Sequence, residues 1–104
     1  MCHPQPLSDL PPALPELVRA LAEKGVARIV LYGSRARGDH APRSDVDLAV
    51  DAPGLDERAW SAIEDLVEEA PTVYKIDCVW LQKASEDLKR NILRDGKTLY
   101  ERPT

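Results

Sequence analysis

Apolar and polar positions alternate with two different periods along this chain, and the changes of period mark its elements. Leu14, Leu17, Val18 and Leu21 recur at helical spacing after Pro15, and Gly25 follows Lys24 where a left-handed glycine ends a helix; the pattern predicts a first helix over about residues 12–24. Residues 26–32, Val-Ala-Arg-Ile-Val-Leu-Tyr, are short, β-branched and closed by Gly33-Ser34, which predicts a strand. In residues 45–51 the period is two: Asp45, Asp47, Ala49 and Asp51 interleave with Val46, Leu48 and Val50. A strand so patterned has one apolar face and one face bearing carboxylates.

Asp56 caps a second helix whose stripe is Trp60, Ile63, Leu66 and Val67, with Glu57, Glu64, Asp65, Glu68 and Glu69 turned to solvent and Pro71 as its stop. Residues 72–80 predict a third strand with Tyr74, Ile76, Cys78 and Trp80 on one side and Asp77 on the other. Ser85 caps a last helix to about Arg94, with Leu88 and Ile92 inward, and Gly96 ends it before Thr98-Leu-Tyr100. The expected order is α-β-β-α-β-α. Pro4, Pro6, Pro11 and Pro12 lack backbone donors, so residues 1–11 read as a tail and residues 12–104 as one domain.

Composition narrows what such a domain can do. In 104 residues, 43% hydrophobic and 31% charged, there is one small core and little space for a deep enclosed pocket, so a large substrate must meet an open face or be held by another protein. With 14 Lys+Arg against 18 Asp+Glu, the formal charge of −4 is the reverse of a general nucleic-acid binder's footprint, and no direct nucleic-acid binding is expected. No apolar run approaches the ~20 residues that span a bilayer, and no signal-peptide pattern opens the chain. Cys2 and Cys78 read as reduced thiols of a cytoplasmic protein.

The chemistry concentrates between the first two strands. Gly33 has no Cβ to keep a phosphate from the backbone, and Ser34 offers a hydroxyl and an amide at the start of the short segment Arg35-Ala36-Arg37. Asp45 and Asp47 are two apart on a strand, with Cα atoms ~6.6 Å apart and side chains pointing the same way. They can converge on metal ions ~3.5–4 Å apart, and hard oxygen donors suit Mg²⁺. Asp77 joins the same face if the third strand lies beside the second. An isolated Asp-x-Asp is common at strand ends and Gly-Ser alone is a turn; three carboxylates beside a Gly-Ser loop are harder to explain structurally, because they repel one another without a cation.

Gly33-Ser34, ten intervening residues, Asp45-Val-Asp47 and the later Asp77 resemble the signature of the DNA polymerase beta-like nucleotidyltransferases, and in particular their minimal nucleotidyltransferase (MNT) group. Residues 31–39, Leu-Tyr-Gly-Ser-Arg-Ala-Arg-Gly-Asp, and 44–50, Ser-Asp-Val-Asp-Leu-Ala-Val, carry the resemblance, which covers almost the whole chain. It implies an α+β fold, a small mixed β-sheet with helices packed on one face and the nucleotide site on the open one. It further implies that Gly33 and Ser34 hold the triphosphate, that Asp45 and Asp47 bind Mg²⁺, two ions in all, and that Asp77 completes the metal site and helps deprotonate the acceptor hydroxyl. Arg35 and Arg37 supply positive charge beside the loop, one toward phosphate and one toward a carboxylate, in an order the sequence leaves open. Arg43 and Lys75 read as solvated charges, and His3, His40 and Asp51 receive no role.

Minimal members of this family are paired with a small helical HEPN protein; in toxin–antitoxin pairs the nucleotidyltransferase adds AMP to a tyrosine of that RNase. The resemblance therefore implies an antitoxin-like protein adenylyltransferase using ATP. Its alternatives are nucleotidyl transfer to a small-molecule hydroxyl held with a helical subunit, and a non-catalytic subunit that binds a nucleotide or a partner. Trp60 and Trp80 are expected in the core, which leaves the surface around the site and the C-terminal segment as the interface with a partner, in a homo- or hetero-oligomer.

Overall fold

The computed structural model describes residues 3–4, 13–38 and 45–103. In chain order the elements are β1 (His3–Pro4), α1 (Leu14–Ala22), β2 (Arg28–Tyr32), α2 (Ser34–Arg37), β3 (Val46–Asp51), α3 (Glu57–Glu69), β4 (Ile76–Trp80), a 3-10 turn (Leu81–Lys83), α4 (Glu86–Asp95) and β5 (Lys97–Glu101). The predicted caps are in place: Asp56 Oδ1 accepts the Ala59 N–H at 2.8 Å, and Ser85 Oγ accepts the Leu88 N–H at 3.2 Å. Pro15 sits in the first turn of α1, where its missing donor costs nothing.

The sheet runs β1-β5-β2-β3-β4 and is mixed. β2 pairs antiparallel with both β3 and β5, while β3–β4 and β1–β5 are parallel. Two features depart from the expected order. Residues 97–101 form a fifth strand, because their one fully apolar inward position, Leu99, is buried against the core and β2 supplies an open edge. At the N-terminus, where a plain lead-in was expected, His3 and Pro4 pair with Lys97 and Thr98; a proline is tolerated there because β1 is an edge strand. The rest of the expected tail lies outside the described residues. The third strand also starts later than expected, since residues 72–75 form a loop in which the Tyr74 N–H bonds Thr72 Oγ1 at 3.2 Å.

Strand alternation sorts the core into two clusters. On one face Ile29, Leu31, Val46, Leu48 and Val50 pack with the buried stripes of α1 (Leu14, Leu17, Val18, Leu21) and α3 (Ile63). Helices thus hold that face as expected, but α4 lies on the other one, where Ile92 packs on Val30 and Ala49 beside Tyr32 and Leu88. The small Ala49 side chain, between Asp47 and Asp51 on the same face of β3, leaves the shallow place that Ile92 fills. Only part of this second face is covered.

Candidate active site

Tyr32, Asp47 and Asp77 stand in one row across three strands. Tyr32 is the register partner of Asp47 between β2 and β3, and Asp47 of Asp77 between β3 and β4; Asp45 lies two residues before Asp47, immediately before the strand, and is exposed. Alternation sends these side chains to one face, the one only partly covered by α4. The Asp77 side chain is 45% exposed and has Lys75 Nζ 3.8 Å away.

Gly33 shows why the loop between β2 and α2 needs glycine. Its φ is +76°, and a Cβ built on it would stand 2.5 Å from Asp47 Oδ2 and 3.4 Å from Asp47 Cγ. The Asp47 carboxylate therefore occupies the space a side chain at position 33 would take. Beyond it, α2 is a single turn: Ala36 and Arg37 N–H donate to the Gly33 carbonyl, Gly38 N–H donates to the Ser34 carbonyl at 2.9 Å, and Gly38 closes the turn at φ +84°. Buried Ala36 seats this turn on the core, which brings Ser34 beside Gly33 at the edge of the acidic row.

The two arginines part company. Arg37 reaches Asp95 of α4 at 3.5 Å and its charge also favours ionisation of Asp47, so it stands beside the acidic row. Arg35 turns the other way, its guanidinium 4.8 Å above the ring of Tyr74. Asp95, bridged also by Arg94 at 3.2 Å, has its carboxyl held below the usual range chiefly by that Arg94 hydrogen bond, with Arg37 adding to it. It ties α4 to the loop, and sequence reasoning missed it because nothing in α4's pattern marks which side faces α2.

Electrostatically the row is strained. Burial first, then the charges of Asp77 and Asp45, raise the Asp47 pKa above the ordinary carboxylate value, against the opposing pull of Arg37. Burial first, then the charges of Asp47 and Asp77, push the Tyr32 phenol up to about 12, so it stays protonated and can donate. Tyr32 was also missed, although its place one residue before Gly33 at the end of a strand offered the signal. Among the described residues no group of three or more His, Cys, Asp or Glu side chains forms a ready metal cage. The donors are nonetheless all hard oxygens that repel one another, and they fit Mg²⁺, which takes few carboxylates and completes its shell with water and substrate phosphate.

The remaining candidates are accounted for simply. Asp51 bonds Gln82 Nε2 at 2.7 Å and pairs with Arg28 at 3.5 Å, a structural use at the far end of β3. Trp60 and Trp80 are half-buried, stack at 5.2 Å between ring centroids and pack against the core. His40 and Arg43 lie outside the described residues, and so does Cys2. Among the described residues no helix is long and apolar enough to cross a membrane.

Residues 16–104 match the family model described as "Polymerase beta, Nucleotidyltransferase". A relative from Methanocaldococcus jannaschii named "Putative protein adenylyltransferase MJ0604" is 27% identical over 99 residues, covering 85% of this chain and 95% of its own. Among solved structures, a toxin–antitoxin complex with AMP-PNP superposes with a TM-score of 0.63 at 28% identity, over 86% of this chain and 74% of that one. A complex of tri-AMPylated Shewanella oneidensis HEPN toxin with MNT antitoxin gives a TM-score of 0.58 at 26% identity, over 84% and 68%.

Proposed function

This chain belongs to the polymerase beta nucleotidyltransferase family, and we propose that within it the chain is a protein adenylyltransferase that moves AMP from ATP to a tyrosine hydroxyl of a small helical HEPN-type toxin, in the cytoplasm. The observation that carries the reading is the row Asp47–Asp77, with Asp45 beside it and the Asp47 carboxylate set against Gly33: acids and phosphate loop form one open site. The likeness to an antitoxin bound to an AMPylated toxin supports the choice of acceptor.

The chain's own residues divide the work as follows. Gly33 and Ser34 receive the triphosphate, because a phosphate can approach a backbone that bears no side chain at position 33. Asp45, Asp47 and Asp77 would hold Mg²⁺, which when bound offsets the charge of the phosphates and of the carboxylates at once. Arg37 stands beside the row, held in place by Asp95, and adds fixed positive charge. The acceptor oxygen attacks the α-phosphorus, the bond from that phosphorus to the bridging oxygen breaks, pyrophosphate leaves with the electron pair, and the acceptor proton passes to the Asp77 carboxylate. Tyr32, the register partner of Asp47, stays neutral and adds no further negative charge to the row.

The test is to incubate the purified chain with its helical neighbour, ATP and Mg²⁺. The neighbour's mass should rise by one or more AMP units on a tyrosine and its RNase activity should be silenced. Asp45→Asn/Asp47→Asn should abolish both. Silencing by the double variant without a mass change would make neutralisation steric, and modification of a small molecule alone would move the acceptor to that class.

A further inference from the structure

We infer that the acceptor tyrosine is presented on an extended, basic segment of the partner protein that adds as a strand to the outer edge of β4. The inference rests on the protein-acceptor reading above and deepens it. Among the described residues no strand lies beyond β4 in the sheet. The Val46 N–H donates to the Lys75 carbonyl at 2.8 Å, so by alternation the backbone groups of Ile76 and Cys78 point away from β3, toward that edge.

The edge is also a trough. One groove of about 480 Å³ lies against Glu64, Glu68, Tyr74, Ile76, Asp77 and Cys78. A second, of about 460 Å³, lies against Glu57, Trp60, Glu64, Cys78, Trp80 and Lys83. They share Glu64 and Cys78 and so run end to end along β4, a length of ~16 Å that fits about five extended residues. Its apolar lining comes from Trp60, Tyr74, Ile76, Cys78 and Trp80. The wall is acidic, since Glu57, Glu64 and Glu68 all come from α3 and are exposed. The trough's lysines sit toward its ends and are engaged there, Lys75 at 3.8 Å from Asp77 and Lys83 at 5.5 Å from the centre of the Trp80 ring. A second copy pairing edge to edge would bring two acidic walls together, which disfavours self-association and favours a basic occupant.

The sheet's parity then specifies the ligand. A residue placed beside Asp77 on an added strand points to the face that carries the acidic row, and its two chain neighbours point to the α3 trough. A hydroxyl residue flanked on both sides by Lys or Arg would thus set its hydroxyl toward Asp77 while its neighbours meet Glu64 and Glu68.

The experiment uses the full chain without nucleotide and two capped pentapeptides, Val-Lys-Tyr-Lys-Val and Val-Glu-Tyr-Glu-Val, followed by amide NMR. The lysine peptide should perturb Ile76 and Cys78 and slow their amide exchange, and the glutamate peptide should bind at least about tenfold more weakly. Glu64→Lys/Glu68→Lys, at two exposed positions of α3, should reverse the preference. Equal binding of the two peptides, perturbation centred away from β4, or an unreversed preference would overturn the docking mode. With ATP and Mg²⁺ added, a lysine peptide that binds as stated but is never adenylylated would overturn the protein-acceptor reading while leaving the docking mode standing. Equal adenylylation of both peptides would do the opposite.

Discussion

The two faces of the sheet are made by alternate residues of the same strands, yet they serve different ends. Leu48, facing α1 and α3, is fully buried among aliphatic neighbours; its chain neighbour Asp47, facing the other way, is held beside two further acids. The first face lowers the free energy of the folded state by removing apolar surface from water. The second raises it, by gathering like charges that Arg37 and Lys75 offset only in part. Neither could be altered by a register slip without inverting both, because a shift of one residue exchanges every inward side chain for an outward one.

Changes on the acidic face should therefore separate activity from stability most sharply. Asp45→Asn/Asp47→Asn should lower AMP transfer by at least ~10³-fold, equivalent to about 4 kcal/mol of barrier, while thermal unfolding by calorimetry stays at or above the wild-type midpoint. Leu48→Ala should show the converse, with a loss of about 2–5 kcal/mol in urea unfolding and a transfer rate per folded molecule close to wild type. Parallel losses in both assays for either variant would break the division between the faces.

Gly33→Ala is the change that should damage both properties, since the new Cβ meets Asp47 Oδ2 at 2.5 Å in a backbone at φ +76°. About 1–3 kcal/mol of stability should go with the strain. ATP binding measured by calorimetry should weaken with it, because the carboxylate must move.

The smallest effect concerns pH. Raised above its unfolded value, the Asp47 carboxyl binds more protons in the native protein than in the unfolded chain between the two pKa values, so its contribution to stability falls as pH rises through that window. Above the window the ionised group is a net cost. Asp47→Asn should remove this dependence and raise the melting temperature slightly near neutral pH in the absence of Mg²⁺. A variant less stable than wild type there would mean that the Asp47 carboxylate is stabilised by its surroundings rather than strained by them.

Much of this was legible from the residues. Parity within a strand is a property of the local backbone, so the spacing of Asp45 and Asp47 and the apolar alternation of Val46, Leu48 and Val50 read correctly without knowledge of any partner. Helix caps are equally local, and Asp56 and Ser85 stand where their side chains predicted. Less local features went unread: β5, whose polar sequence becomes a strand only because β2 has an open edge; α4 on the acidic face; and Asp95, which acquires its partner Arg37 across 58 residues of chain.

What the sequence by itself determined is the set of groups that share a face within each element, together with the Gly-Ser loop and acids that mark the family. The tertiary structure alone decided which elements are neighbours. It set β4 parallel to β3 in the register that puts Asp77 beside Asp47, turned Arg35 toward Tyr74 and Arg37 toward the acids, and left the outer edge of β4 beside an acidic helix. The physical reason is that side-chain direction follows from φ and ψ of a few consecutive residues, whereas neighbour and register follow from the burial free energy of the whole core, to which residues distant in sequence contribute together.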